Sequence, residues 1–313
     1  AAGCPPDVVS FLPGDGEQIG PTLVNDPRVA LIAFTGSKAV GLSIIKSASE
    51  VSPGQREIKR VIAELGGKNA ITVLADADIE LAVKGALWSA FGTAGQRCTA
   101  ASRLIVDKKV RGEFTERLVS ETAKLKLGIG VDPEAQIGPV VNQSQLKRIH
   151  GYVELGREEG ARLLAGGGAL TEAPLDKGSF YAPTIFDGVT PTMRIAQEEI
   201  FGPVTAIIDA DGLDDALEIA NGTNYGLSLS LYTRDLRQAM RAMDDLESGI
   251  VYVNLPTSGA EIQLPFGGIK DTGNGHREAG WMAMDWCTEW KAMYVNYAAG
   301  SDLVRAQIDT VEN

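Results

Sequence analysis

Short runs of β-branched and aromatic residues alternate along the chain with longer stretches whose apolar residues recur every three or four positions. The first run, "VVSFLPG", is broken by Pro13 and Gly14, and "RVALIAFTG" follows it; both read as strands. "SKAVGLSIIKSASEV" has helical spacing, and "EIKRVIAELGG" and "NAITVLAD" are strand-like on either side of Gly66-Gly67. From Asp78, placed where an N-cap is wanted, to Phe91, "DIELAVKGALWSAF" reads as a helix carrying Leu81, Leu87 and Trp88 among alanines. "SRLIVD" is a strand. The next helix, "KVRGEFTERLVSETAKLKLG", lines up Val110, Phe114, Leu118 and Leu125 and stops at Gly128. "NQSQLKRIHGYVELGREEG" is amphipathic, with Leu146, Ile149, Val153 and Leu155 on its apolar side.

The second half keeps the rhythm: "GPVTAIIDA" strand, "LDDALEIANGT" helix, "GLSLSLYT" strand, "DLRQAMRAMDDLES" helix, "GIVYVN" strand. Strands alternating with helices of this length predict βαβ units, a mostly parallel sheet and the α/β class. Near the end, "EWKAMYVNYA" has strand character but follows a loop rich in glycine and charge, so it needs a partner edge, which points to pairing with another subunit. The opening "AAGCPPDVVSFLPG" has no initiator methionine and reads like the end of a helix already under way, so a segment upstream is expected.

Composition narrows the classes of function. The 313 residues suffice for two domains or one large α/β unit. A net charge of −12 argues against a nucleic-acid partner, because a phosphate backbone needs a basic surface. No run of eighteen apolar residues suggests a membrane span, and no signal peptide opens the chain. Cys4, Cys98 and Cys287 are too widely spaced for a disulfide framework or a zinc site and fit a reducing, cytoplasmic compartment. The two histidines, His150 and His276, are too few for a histidine-based metal centre and are expected at the surface; no metal is expected.

Five stretches carry candidate chemistry. In "GQRCTAASR", Cys98 sits among small residues that leave its sulfur approachable, as a nucleophile needs, although a buried structural cysteine has the same composition. Glu64 ends a strand beside flexible glycines, where α/β proteins place working acids, and a solvated surface glutamate is the alternative. "PGDGEQIG" and "FTGSKAVG" each follow a strand and open a helix, as phosphate cradles do, but neither holds the strict glycine pattern and ordinary turns look alike. The acids of "AQEEIFGPV" suit a ribose diol or an exposed acidic loop. "NLPTSGAEIQLPFGGIKDTGNG" is a long loop of the kind that is often functional or else disordered.

Taken in order, "FTGS", "ELGGKNA", "GQRCTA", "EEIFGPV" and "PFGGIKDTG" resemble the aldehyde dehydrogenase superfamily over nearly the whole chain. That resemblance implies part of a Rossmann-type cofactor domain joined to an α/β catalytic domain and an oligomerisation tail. It divides the chain into residues 1–65, the C-terminal part of the dinucleotide-binding domain; 66–265, the catalytic domain; and 266–313, a return loop and tail. It implies NAD or NADP as cofactor, an aldehyde as small-molecule substrate and a homo-oligomer. Cys98 then matches the nucleophile, whose own backbone N–H forms half of an oxyanion hole, and Glu64 matches the base that activates water. Gly36 and Ser37 match the turn facing the pyrophosphate, Glu199 and Phe201 the residues holding the nicotinamide ribose and ring, and Leu65 and Gly66 the wall beside the base.

"KNAITV", "GQRCTAASR" and above all "PTSGAEI" resemble the branch acting on amino-acid semialdehydes, those of glutamate (1-pyrroline-5-carboxylate) and aminoadipate. There the loop matching Ser258, Gly259 and Ala260 offers backbone N–H groups to a substrate carboxylate, with Thr99 nearby. A keto-acid semialdehyde such as that of 2-oxoglutarate stays open. Members of the family are longer, and the resemblance places upstream of Ala1 the first cofactor strands, a lysine near the adenosine ribose and the asparagine completing the oxyanion hole. Two other functions remain at this point: a fragment serving as an assembly module, and a thiol hydrolase that needs no cofactor.

Overall fold

The computed structural model describes Gly3, Pro5 and residues 7–295. Its elements begin with α1 (Gly16–Asn25), β1 (Leu31–Thr35), α2 (Lys38–Ala48), β2 (Arg60–Glu64), β3 (Asn69–Val73), α3 (Ile79–Phe91) and β4 (Ala101–Asp107). There follow α4 (Arg111–Thr122), α5 (Gln143–Glu158), β5 (Arg162–Ala165), β6 (Thr184–Asp187), α6 (Arg194–Gln197) and β7 (Val204–Ala210). The last are α7 (Gly212–Asn221), β8 (Tyr225–Gly226), β9 (Ser228–Tyr232), α8 (Leu236–Asp245), β10 (Ile250–Val253), β11 (Ile269–Lys270) and α9 (Met282–Cys287).

Seven strands form one sheet in the order β10-β9-β3-β4-β7-β6-β5. Every neighbouring pair in it is parallel except β5 with β6. The inner strands β3 and β9 are buried along their whole length, because helices cover a parallel sheet on both faces, so their sequences read as continuous apolar runs rather than alternations. On one face α3 packs through Ala82, Ala86 and Ala90, and its Gly85 lies so close to Tyr232 that a Cβ there would stand 1.9 Å from the phenol oxygen. A second, two-stranded parallel sheet pairs β1 with β2 and carries α1 and α2.

Asp78, marked as a cap by the sequence, does cap, and three further side chains act alike. Asp15, Ser37, Asp78 and Asn142 each accept a backbone N–H from the first turn of α1, α2, α3 and α5. His150 and His276 are exposed.

Two expectations are corrected. "VVSFLPG" is not a strand: no described strand lies beside it to take its backbone hydrogen bonds, and Val8, Val9 and Phe11 stand 67, 75 and 90% exposed. The α4 helix ends at Thr122, not Gly128; Thr122 turns its hydroxyl back onto the Leu118 carbonyl, and Lys126 pairs instead with Gln136. Residues 289–295 of "EWKAMYVNYA", expected to pair with another subunit, form no strand within the single chain, and 296–298 lie outside the described residues. The short strands β5 and β6, at the far edge of the large sheet, carry too few alternations to have been read from sequence.

Candidate active site

Where the two sheets meet, the chain leaves β1 and β2 at their C-terminal ends and enters β3, β4 and β7 at their N-terminal ends. A cleft of about 710 Å³ opens at this junction. Its walls include Gly36 and Ser37 after β1, Leu65 and Gly66 after β2, Cys98 and Thr99 before β4, Glu199 and Phe201 before β7, and Gly259 and Ala260 after β10. Residues scattered over more than 220 positions of sequence are therefore neighbours around one space.

Cys98 is held there by its backbone. After α3 the chain turns through Ala94 and Gly95 in the left-handed region, with φ of 53° and 64°. Gly95 passes the Gly202 carbonyl so closely that a Cβ would stand 1.9 Å from its oxygen. Asn69 Nδ2 then donates to the carbonyls of Cys98, at 2.6 Å, and Ala100, at 3.0 Å. Gly67 makes that approach possible, since a Cβ on it would lie 2.4 Å from the Cys98 oxygen. Burial pushes the thiol above its ordinary value, and the negative charges of Glu199 and Glu64 push it further, while the Thr99 and Cys98 amides pull it back. The sulfur lies half-buried at the edge of the cleft.

Thr99 ties this loop to the one after β10. Its carbonyl accepts from the Thr257 hydroxyl at 2.7 Å and from the Ser258 hydroxyl at 3.2 Å, and its own Oγ1 lies 3.2 Å from Ser258 Oγ. Ser258 is buried behind Thr99 rather than facing the cleft, whereas Gly259, at φ 137°, and Ala260 do face it.

Glu64 sits at the end of β2 and does not line the cleft. The strand end is clamped by the return segment: Leu65 N–H donates to the Thr272 carbonyl at 2.6 Å, and Asn274 pairs with Ala63 and Val61. The carboxyl group is 3% exposed, with both oxygens unpartnered, and looks toward Gly267, where a Cβ would stand 2.5 Å from Oε1. Burial pushes it up to about 8, helped by Glu278 and opposed by Arg277 and the Gly268 amide. Such an acid changes protonation within the range where a base is useful.

Glu199 rests on the backbone of Gly66 and Gly67. The Gly67 N–H donates to its Oε1 at 2.9 Å, and a Cβ at Gly66 would stand 2.3 Å from Oε2. Burial raises this carboxyl, and the Gly67 amide, Arg148 and Lys68 lower it. Phe201 follows in the left-handed region at φ 57°. Two side chains of α5 fix that turn: Gln145 donates to the carbonyls of Ile200 and Phe201, and Arg148 to that of Glu199.

Gln145 and Arg148 also line the cleft, with Gln96, Arg97 and Phe266, and none of these five was singled out from sequence. Polar positions on an amphipathic helix look the same whether they meet solvent or a cleft. A second cleft, about 660 Å³, separates α1 from α2 and is lined by Pro21, Val24, Phe34, Val40 and Ile44, next to the α2 N-terminus at Ser37. Among the described residues no cluster of three or more His, Cys, Asp or Glu could hold a metal ion, and no helix is long and apolar enough to cross a membrane.

A family model described as the aldehyde dehydrogenase family matches residues 1–293. The chain is 43% identical over 280 residues to a 1-pyrroline-5-carboxylate dehydrogenase of Bacillus subtilis, covering 89% of this chain and 53% of that protein. It is 38% identical over 294 residues to an alpha-ketoglutaric semialdehyde dehydrogenase of the same organism, covering 94% and 59%. The crystal structure of a 1-pyrroline-5-carboxylate dehydrogenase from Thermus with bound NAD superposes with a TM-score of 0.86 at 40% identity, over 90% of this chain and 54% of that one. The chain thus spans about half the length of the relatives it matches.

Proposed function

The chain belongs to the aldehyde dehydrogenase family, and we propose that it carries the nucleophile, the base and the nicotinamide-facing side of an enzyme oxidising a carboxylate-bearing aldehyde with NAD or NADP. The observation that carries this reading is the gathering of Cys98, Glu199, Phe201, Ser37 and the Gly259–Ala260 loop around one cleft.

The residues fit a dinucleotide. Glu199 offers an acceptor for a ribose diol, Phe201 an aromatic face for the nicotinamide, and the first turn of α2, which opens at Ser37 on the cleft wall, backbone N–H groups for a pyrophosphate. The apolar cleft between α1 and α2 suits a flat base. When bound, the nicotinamide supplies a hydride acceptor.

The chemistry left to the chain begins with Cys98, whose thiol loses its proton to solvent water as the sulfur adds to the aldehyde carbon, while the Cys98 amide receives the developing oxyanion. Loss of hydride leaves a thioester on that sulfur. Glu64 then takes a proton from the water that attacks the thioester, releasing the acid and the thiol.

A carboxylate on the substrate is supported by Arg97 on the cleft wall, by the Ser258–Gly259–Ala260 backbone beside Thr99, and by the relatives named for such substrates. Glutamate semialdehyde leads, and 2-oxoglutarate semialdehyde is the second reading, favoured by the B. subtilis relative at 38% identity. We further read residues 1–65, 66–265 and 266–313 as cofactor part, catalytic part and return loop with oligomerisation tail. The supporting feature is that the small sheet ends at Glu64. The free thiols of Cys98 and Cys287 suit a cytoplasmic setting, and the apolar groove beside the edge strand β10 suits a homo-oligomer.

The test is production of reduced nicotinamide from glutamate semialdehyde and from an uncharged aldehyde of equal length, with NAD and with NADP. The semialdehyde should turn over faster, and Cys98→Ala should abolish turnover. Equal rates for the two aldehydes overturn the carboxylate reading, and activity surviving Cys98→Ala overturns the nucleophile.

A further inference from the structure

Behind the loop that carries the sulfur lies a buried amide that the chemistry above does not use. Asn69 opens β3 at 2% exposure, just ahead of the apolar Ala70, Ile71 and Val73. A polar side chain in such a place is costly unless its hydrogen bonds are met. Here the amide is in full use: Nδ2 gives one hydrogen to the Cys98 carbonyl at 2.6 Å and the other to the Ala100 carbonyl at 3.0 Å, and Oδ1 accepts the Ser228 N–H at 3.1 Å.

Backbone pairing is interrupted at the same spot. The β3–β4 register shifts between Asn69 and Ala70: Asn69 lies opposite Ala101 and Ala70 opposite Arg103, so Ser102 is passed over. On the other side, the pairing of β3 with β9 starts only at Ala70 and Leu229. Just ahead of both ladders the Asn69 side chain takes the place of a backbone rung, and it does so to two strands at once. The bonds then close into a ring. Ser228 Oγ donates to the Thr257 carbonyl at 2.8 Å, the Thr257 hydroxyl to the Thr99 carbonyl at 2.7 Å, and the Thr257 N–H to Ser89 Oγ at 3.0 Å. Ser89, Thr99, Ser228 and Thr257 are all buried. Three successive carbonyls, those of Cys98, Thr99 and Ala100, are therefore each held by a buried side chain.

We propose that Asn69 is a positioning residue for the nucleophile: through the Cys98 and Ala100 carbonyls it fixes where the Cys98 sulfur stands on the cleft wall, in place of the ladder that the register shift interrupts. The role calls for an amide and not merely a polar group of the same shape. An aspartate keeps an acceptor for the Ser228 N–H but turns an oxygen toward two carbonyl oxygens, where the amide turns two hydrogens. A network with every member satisfied holds one arrangement, and removing its shared donor frees the segment that donor held. The word nucleophile rests on the function proposed above; the anchoring is a property of the chain.

The experiment compares the full chain with Asn69→Asp and with a control, Ser230→Ala, which removes a buried β9 hydroxyl bonded to the Leu255 carbonyl at 2.6 Å and outside the ring. Hydrogen exchange read by mass spectrometry should show the amides of residues 98–101 exchanging about tenfold faster or more in Asn69→Asp, with those of β3 and β9 at their wild-type rates. Alkylation of Cys98 by iodoacetamide, read on its peptide, should speed by about tenfold, because a half-buried sulfur is released. Ser230→Ala should do neither. Should Asn69→Asp not fold, Asn69→Ser, whose shorter hydroxyl has one hydrogen for two carbonyls, carries the same expectation. Unchanged exchange over 98–101 or unchanged alkylation overturns the proposal, and so does an acceleration shared equally with β3 and β9, as a purely structural asparagine would give. Aldehyde turnover by Asn69→Asp should lose about tenfold or more in kcat with KM for NAD unchanged, and a freed loop with undiminished kcat also overturns it. A wild-type chain without turnover, or activity surviving Cys98→Ala, overturns only the function proposed above, and exchange and alkylation then decide the anchor.

Discussion

Glu64 couples two consequences in one buried carboxyl. Its value in the folded chain, about 8, lies above the ordinary 4.5, so the fold favours the protonated form. The stability it contributes is therefore complete below about pH 4.5 and is lost as the pH rises through 8. Glu64→Gln removes that dependence. The stability of the variant relative to wild type, from urea unfolding, should rise by something on the order of 2 to 4 kcal/mol between pH 5 and 8. On the function proposed above, thioester hydrolysis should follow the opposite course, rising toward pH 8 in the wild type and falling about a hundred- to ten-thousandfold in the variant. A flat pH profile in the wild type would remove Glu64 as the base. Small neighbours and a strand end beside glycines are local features that marked Cys98 and Glu64 as candidates, while their assignment as nucleophile and base came from the family resemblance. Asn69 and Arg148 were not so marked, since an asparagine at a strand start and an arginine on a helix carry no local sign of what packs over them.

At the scale of elements, periodicity located α2, α3, α5, α7 and α8 and the strands β3, β4, β7, β9 and β10, and cap chemistry located the start of α3. Asp78 is the sharpest case: its Oδ1 accepts the Leu81 N–H at 3.1 Å, and its Oδ2 meets Arg234 at 3.3 Å. Asp78→Ala should cost about 1 kcal/mol, read as a lower urea midpoint with an unchanged slope. A variant as stable as wild type would mean that the α3 start is held by packing alone. What periodicity does not supply is a partner. "VVSFLPG" and "EWKAMYVNYA" have strand composition, yet the described residues offer them no edge, whereas β5 and β6 with weaker patterns pair because each lies beside the other.

Considered whole, the described residues form three sheets, of which the seven-stranded one and the β1–β2 pair meet across one cleft, with the cofactor reading spread over both. A ligand bridging them stabilises the assembly by mass action, about 2.7 kcal/mol at a hundred times its dissociation constant. NAD should accordingly raise the melting temperature, and Glu199→Gln should reduce that rise; a melting curve indifferent to NAD would leave the two sheets without a shared ligand. The junction itself could not be read from sequence, because it depends on which strand ends face each other and not on any one of them. One link across this molecule sets a length. The Thr99 carbonyl is gripped by the hydroxyls of Thr257 and Ser258, so the loop bearing the sulfur and the loop bearing Gly259 cannot slide apart. Together they form a fixed gauge with the Cys98 sulfur at one jaw and backbone amides at the other. On the function proposed above, a substrate is measured between them, and a chain one methylene too short or too long should forfeit about 1–3 kcal/mol at one jaw or the other.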